Sequence, residues 1–388
     1  MTPAQDYRDI VAAVPVTVPY ARRSEHGAAW FLARALALLL EGSGLAKTAI
    51  DGLCAASFTL APDTAVALTQ HIGLSPRFLE WLPVGGACGV VALRRAARAI
   101  AAGDAEIVAC LAGDTANATS FRDLIAQFSR FSRDFVHPYG AGGPNASFAL
   151  ITAAYMHATG TTREDFGRLC VAQRRNARAN PLALLRDDLT QEAYLAARPI
   201  AEPLHLYDCV MPCVGADGFL VMSRARAARL GLRGVRRLGA IERYDAFPDD
   251  PVPLTGGWAM DQAALWQQAG LGPEAIDLLE TYDDYPVMSL IQFESLGFCG
   301  KGEAAAFVRA HDLTVAGDVP HNTGGGQLSM GQAGAAGGFL GLVEAMRQLT
   351  SAAGARQVAR ARHALVSGFG MINYDRGLCS AACVLGAS

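Results

Sequence analysis

Residues 331–354 read GQAGAAGGFLGLVEAMRQLTSAAG, a glycine-led apolar helix, and ARHALVSGFG at 361–370 follows as a strand that ends in glycines. The same order occurs earlier, where GGACGVVALRRAARAIAAG at 85–103 precedes EIVACLAGD at 106–114. In each case a turn of small residues feeds a buried helix and then a buried strand. A chain of 388 residues exceeds the usual size of one hydrophobic core. The repeated unit therefore predicts a duplicated fold of two similar halves.

Working outward, IVAAVPVTVPYARR (10–23) reads as a strand and loop, and HGAAWFLARALALLLEGSG (26–44) as an amphipathic helix closed by glycine. IDGLCAAS (50–57) reads as a second strand, and PDTAVALTQHIGL (62–74) as a helix stopped at Gly73. Strands alternating with helices make the chain α/β. From about residue 115 to 212 the pattern changes to arginine-rich helical segments such as AQRRNARAN and polar loops such as HPYGAGGPN. This stretch predicts an insertion that covers one face. FLVMSRARAARLG (219–231) returns to a strand and short helix, and RRLGAIERYDAF (236–247) opens the second half. The expected division is an N-terminal half over 1–235, with the insertion inside it, and a C-terminal half over 236–388.

Composition excludes several classes of partner. The formal net charge is only -3, and no lysine-rich or arginine-rich run is long enough to track phosphates, so nucleic acid is not expected. The longest apolar stretch, residues 28–46, carries Arg34, Glu41 and glycines and falls short of a bilayer-spanning run. The first residues lack the basic head and apolar core that secretion requires, and a cytoplasmic location is the expectation. Nine cysteines are scattered without a CxxC pair or a Cys/His cluster at zinc-ligand spacing, which argues against a structural metal. Neither a GxGxxG between strand and helix nor a P-loop is present.

Cys88 heads the helix at 85–103. At a first helical turn, the unpaired backbone N–H groups and the positive end of the dipole both favour thiolate over thiol. Gly85, Gly86 and Gly89 let a substrate carbonyl approach the backbone closely. The competing reading is a small buried filler, since free cysteine is among the most buried residue types. Cys110, Cys379 and Cys383, in strand-like apolar runs, take that second reading.

The stretches LLETYDDYPVMSLIQFESLGFCGKGEAAAFV (278–308), HNTGGGQLSMGQAGAAGG (321–338) and ALVSGFGMINYDRG (364–377) together resemble the thiolase superfamily. The resemblance is to the branch of sterol-carrier-protein-type and lipid-transfer-type thiolases, and GTTREDFGRLCVAQRRNARANP and DGFLVMS extend it over nearly the whole chain. It implies two βαβαβαββ halves in five layers (αβαβα), a helical loop-domain insertion and a homodimer. It also implies a coenzyme A thioester substrate in lipid metabolism, no tightly bound cofactor, and Cys88 at the position that accepts an acyl group.

Three positions depart from the family pattern. Gln332 in GQAGAAGG stands where the GHP histidine would be, and glutamine cannot take a proton near neutral pH. Ser367 lies at or near the place of the CxG cysteine, and Tyr282 in ETYDDY takes the polar position of the NEAF or HDCF motif. A backbone oxyanion hole from Cys88 and the loop at Gly368 to Gly370 is expected, with Gly325 and His321 as further substrate-binding candidates and His137 as another loop histidine. Three functions follow: an acyltransferase or β-ketoacyl thiolase using Cys88; a retro-aldol lyase on a β-hydroxyacyl-CoA using Tyr282 and Tyr374; or a non-catalytic acyl-CoA-binding subunit. A small OB-fold partner with a zinc ribbon is implied by the resemblance alone.

Overall fold

A computed structural model describes residues 7, 9–116, 120, 123–124, 129–140, 143–373 and 376–388. In the first half, β1 (Ile10–Ala21), β2 (Gly52–Ala56), β3 (Phe78–Trp81) and β4 (Ile107–Asp114) alternate with α1 (Ala28–Ser43), α2 (Ala65–Ile72) and α3 (Cys88–Ala102). Local signals set these limits. Thr64 caps α2 by accepting from the Ala67 N–H, and Gly44, Gly73 and Gly103 end the three helices in the left-handed conformation.

The insertion contributes α4 (Arg130–Phe135), α5 (Pro144–Thr159), α6 (Arg163–Arg178), α7 (Gln191–Leu195) and a hairpin of β5 (Pro199–Ala201) and β6 (Leu204–His205). The chain resumes its main course in β7 (Val214–Ser223) and α8 (Arg224–Arg229). The second half holds β8 (Gly234–Tyr244), α9 (Trp258–Ala269), β9 (Leu278–Glu280), α10 (Pro286–Ser295), α11 (Ala304–Ala310) and α12 (Gly326–Met330). It closes with α13 (Gly337–Leu349), β10 (His363–Asn373) and β11 (Arg376–Ala387).

Nine strands run in the order β3-β2-β4-β7-β1-β8-β11-β10-β9. The halves meet at β1 and β8, through the pairs Val11–Arg236, Ala12–Val235 and Ala13–Gly234. Alternation along the strands then sorts the side chains into layers. Cys54, Val108, Cys110 and Phe219 of the first half share one core with Val366, Ala381 and Cys383 of the second, and α3 and α13 lie within it. The opposite faces, through Leu53, Ile107 and Leu220, pack on α1 and α2, while Leu365, Ala382 and Val384 pack with α9, α10 and the insertion. Read across, the order is helix, sheet, helix, sheet, helix, the five layers expected.

The insertion docks on the second half. Arg309 pairs with Asp165 at 2.7 Å, and the Asn176 and Asn180 amides donate to the carbonyls of His321 and Gly324, each at 2.9 Å. No helix among the described residues is long and apolar enough to cross a membrane.

Candidate active site

The two central helices begin alike. A 3-10 turn at Gly85–Ala87 leads into Cys88, and another at Gly334–Ala336 leads into Gly337. Their backbones touch: a Cβ on Gly89 would run into the Gly338 carbonyl, and one on Gly338 would sit 2.8 Å from the Gly86 oxygen and 2.9 Å from the Cys88 sulfur. Gly368 and Gly370 do not form a loop; both lie within β10, paired with Ala381 and Cys379. A Cβ on Gly368 would lie 2.6 Å from the Gly86 oxygen, and one on Gly370 would strike the Val84 oxygen. These glycines are small because the turn before Cys88 rests directly on the strand.

Cys88 is fully buried, and its thiol donates to the Ala335 carbonyl at 3.2 Å. The Ala335 N–H is held in turn by Asp114, which also accepts from the Phe58 and Thr59 amides and from the Ser57 and Thr59 hydroxyls. Burial pushes the Cys88 thiol far above its ordinary range, the Asp114 charge adds to the rise, and the amides of Cys88 and Gly89 oppose it only in part. The helix-end effect acts in the expected direction and is outweighed. Cys88 is therefore a thiol.

Tyr282 lies over the same turn, with its ring where a Gly86 Cβ would be. Its hydroxyl oxygen accepts from Gln332 Nε2 at 3.1 Å, and that nitrogen also donates to Gln327 Oε1 at 3.3 Å. Gln332 is pinned by its backbone, donating to the Met211 carbonyl and accepting from the Cys213 N–H. Burial and then the Asp284 charge raise the Tyr282 hydroxyl well above the usual tyrosine range. The result is a neutral phenol whose oxygen is engaged by an amide, leaving its own proton free to point elsewhere.

Ser367 alternates with Val366 and Gly368 along β10 and so faces away from the Cys88 turn. Its hydroxyl donates to Gln292 Oε1 at 2.6 Å, and Gln292 grips Tyr282 through both its backbone N–H and its carbonyl. Ser367 thus joins the site through Gln292. His321 is fully buried, with Nε2 2.7 Å from the Thr281 hydroxyl, and burial pushes its imidazole down to about 3. It is a neutral internal support for the strand leading to Tyr282, and it does not line an open surface. Gly325 caps the start of α12 at a φ of 103°, packed against Ala177 of the insertion. His137 sits in a 3-10 turn of the insertion, and Tyr374 lies outside the described residues.

Four site residues were missed by sequence reasoning: Gln292, Gln327, Asp283 and Asp284. Asp283 accepts from the Gln327 and Leu328 amides at 2.9 and 3.3 Å, capping α12, and burial lifts its carboxyl to about 7. Asp284 is 8% exposed and accepts from the Tyr285 N–H at 3.1 Å. The acidic doublet in ETYDDY, followed directly by the apolar run PVMSLIQF, was the available signal. A polar cavity of about 20 Å³, room for a single water, touches Tyr282, Asp283, Gln327, Gly337 and Ser367.

A family described as thiolase C-terminal domain-like matches residues 250–380. A 17-hydroxy-3-oxo-4-pregnene-20-carboxyl-CoA lyase of Mycobacterium tuberculosis is 33% identical over 349 residues, 84% of this chain and 88% of that protein. Benzoylsuccinyl-CoA thiolase subunit BbsB of Thauera aromatica is 29% identical, over 70% of this chain and 71% of its own. Among solved structures, an Ltp2-ChsH2(DUF35) aldolase superposes with a TM-score of 0.82 at 26% identity, covering 98% of both chains.

Proposed function

The chain belongs to the thiolase superfamily, in the branch of the sterol-carrier-protein-type and lipid-transfer-type thiolases, and from that membership we propose that it is a carbon–carbon lyase that cleaves a β-hydroxyacyl-CoA by a retro-aldol step. Its relatives make it an enzyme acting on CoA esters. The observation that carries the lyase reading is the state of Cys88: a buried thiol, donating to a carbonyl, with Gln332 where a base would be needed. A retro-aldol cleavage asks nothing of that thiol. It requires removal of the β-hydroxyl proton, passage of the Cα–Cβ electron pair into the thioester as an enolate, and a proton for Cα. Tyr282, a neutral phenol held by Gln332, suits the last of these tasks.

The names of the lyase and aldolase relatives support the same chemistry, and a steroid side chain carrying the CoA thioester is the first substrate to try. The ChsH2(DUF35) component of the aldolase neighbour supports a protein partner for this chain as well. A homodimer and a cytoplasmic location complete the proposal.

A second reading, thiolysis of a β-ketoacyl-CoA through Cys88, is favoured by one observation. The thiol sits on the first residue of a 15-residue helix whose end amides favour the thiolate, against the larger opposing effect of burial. Incubation of the purified protein with a β-hydroxyacyl-CoA, and separately with a β-ketoacyl-CoA plus free CoA, tests both by mass spectrometry of the products. The lyase reading expects a ketone or aldehyde from the first substrate, retained in Cys88→Ala and lowered about 10²-fold in Tyr282→Phe. Thiolysis of the second substrate that vanishes in Cys88→Ala would replace it.

A further inference from the structure

We propose that Asp284 is the general base that takes the β-hydroxyl proton. The proposal rests on the lyase reading and adds the group that reading leaves unnamed.

The buried acids around the site differ in what their oxygens already do. Glu280 accepts from the Thr323 N–H at 3.0 Å and its hydroxyl at 2.7 Å. Both oxygens of Asp283 are taken by the first amides of α12. Asp114 is saturated by two loop amides, two hydroxyls and the Ala335 N–H. Asp284 is held only by backbone N–H groups among the described residues, that of Tyr285 on Oδ1 at 3.1 Å and its own, with no side chain bonded to it. Its small remaining exposure makes it a carboxyl that a substrate hydroxyl can reach.

Position agrees with this. Asp284 stands two residues beyond Tyr282, and after burial its charge is the largest influence on the Tyr282 phenol. The next residue, Tyr285, ties this segment to the insertion: its hydroxyl donates to Asn145 Oδ1 at 2.5 Å, and its ring stacks on Phe148 at 4.1 Å. Burial first, and then the charge of Asp283, hold the Asp284 carboxyl above the usual carboxylate range, which makes its ionised form a stronger base than a surface aspartate. Among the described residues, the titratable groups that act on this cluster are Asp283, Tyr282, Tyr285, Cys88 and, from the insertion, Cys209.

The step balances without an outside oxidant or reductant. The Asp284 carboxylate takes the proton of the β-hydroxyl, and the O–H electron pair becomes the carbonyl π bond. The Cα–Cβ pair moves into the thioester as its enolate, and the Tyr282 hydroxyl then protonates Cα. The proton on Asp284 returns to the tyrosinate through solvent, giving one carbonyl compound and one shortened acyl-CoA.

The test compares the native chain with Asp284→Asn, Asp284→Glu and Asp283→Asn, in steady-state cleavage of a β-hydroxyacyl-CoA from pH 5 to 9. Thermal melts and CoA-thioester binding accompany it. The expected result is a fall in kcat of about 10²- to 10⁴-fold in Asp284→Asn at nearly unchanged KM. The acidic limb of the kcat profile should disappear, and Asp284→Glu should restore part of the rate. Asp283→Asn should keep the limb. An Asp284→Asn enzyme within tenfold of native with the limb intact overturns the proposal alone, as does a loss of rate explained by a lower melting temperature or lost binding. A native chain that melts normally, binds the thioester and cleaves no β-hydroxyacyl-CoA overturns the lyase reading and this proposal with it.

Discussion

At the scale of single residues, the contest at Cys88 decides how its sulfur reacts. The helix-end amides favour thiolate, while burial and Asp114 favour thiol, and the second pair wins. Alkylation of the native protein by iodoacetamide at pH 8, followed by peptide mapping, should label the partly buried Cys209 and Cys299 before the fully buried Cys88. Early, stoichiometric labelling of Cys88 would show instead that the thiol is reachable and activated. The polar cluster of Tyr282 and Gln332 was legible in the sequence because both replace residues of a recognisable pattern. Ser367 was legible only as a neighbour, since period-two alternation turns it to the other face of β10. The Asp283–Asp284 doublet was not, because two adjacent acids read as a solvated turn, and the ring that packs on their neighbour Tyr285, Phe148, comes from the distant insertion.

At the scale of elements, the crossing of α3 and α13 explains the small residues that signal the duplication. Gly89 and Gly338 are there because two helix backbones meet. Gly89→Ala forces a methyl into the Gly338 carbonyl and should destabilise the fold by about 1–3 kcal/mol, the usual range for an overpacked core. Gly27→Ala, where the added methyl meets nothing within 4 Å, is the control. Equal melting temperatures for the two variants would refute the backbone-contact account. The elements themselves were readable from periodicity and glycine stops. The role of Gly368 and Gly370 was not: a glycine needed for close packing and a glycine in a loop leave the same mark in a sequence.

For the whole molecule, buried acids link stability to pH. The Asp217 carboxyl, held by the Thr17 and Tyr20 hydroxyls at 2.5 and 2.6 Å, is raised by burial from 3.8 to about 6. A raised carboxyl contributes its stability below the unfolded value and loses it as pH rises through the folded one. Asp217→Asn should therefore gain on the native protein between pH 4 and pH 7, by on the order of 3 kcal/mol at most. Chemical denaturation at the two values measures this, and an identical difference at both would disprove the linkage. His321 works the opposite way: its depressed imidazole costs stability as pH falls below about 6.5 toward 3.

The shared central layer carries a further consequence for synthesis. The inner face of β2, β4 and β7, with α3 upon it, packs against α13, β10 and β11, which lie beyond residue 336. A growing chain therefore leaves the ribosome with its first sheet made and one apolar side bare for more than a hundred residues of translation. Such exposed surface is what chaperones bind and what aggregates form from. The architecture that buries Cys88 so deeply leaves the N-terminal half dependent on segments made more than a hundred residues after β7.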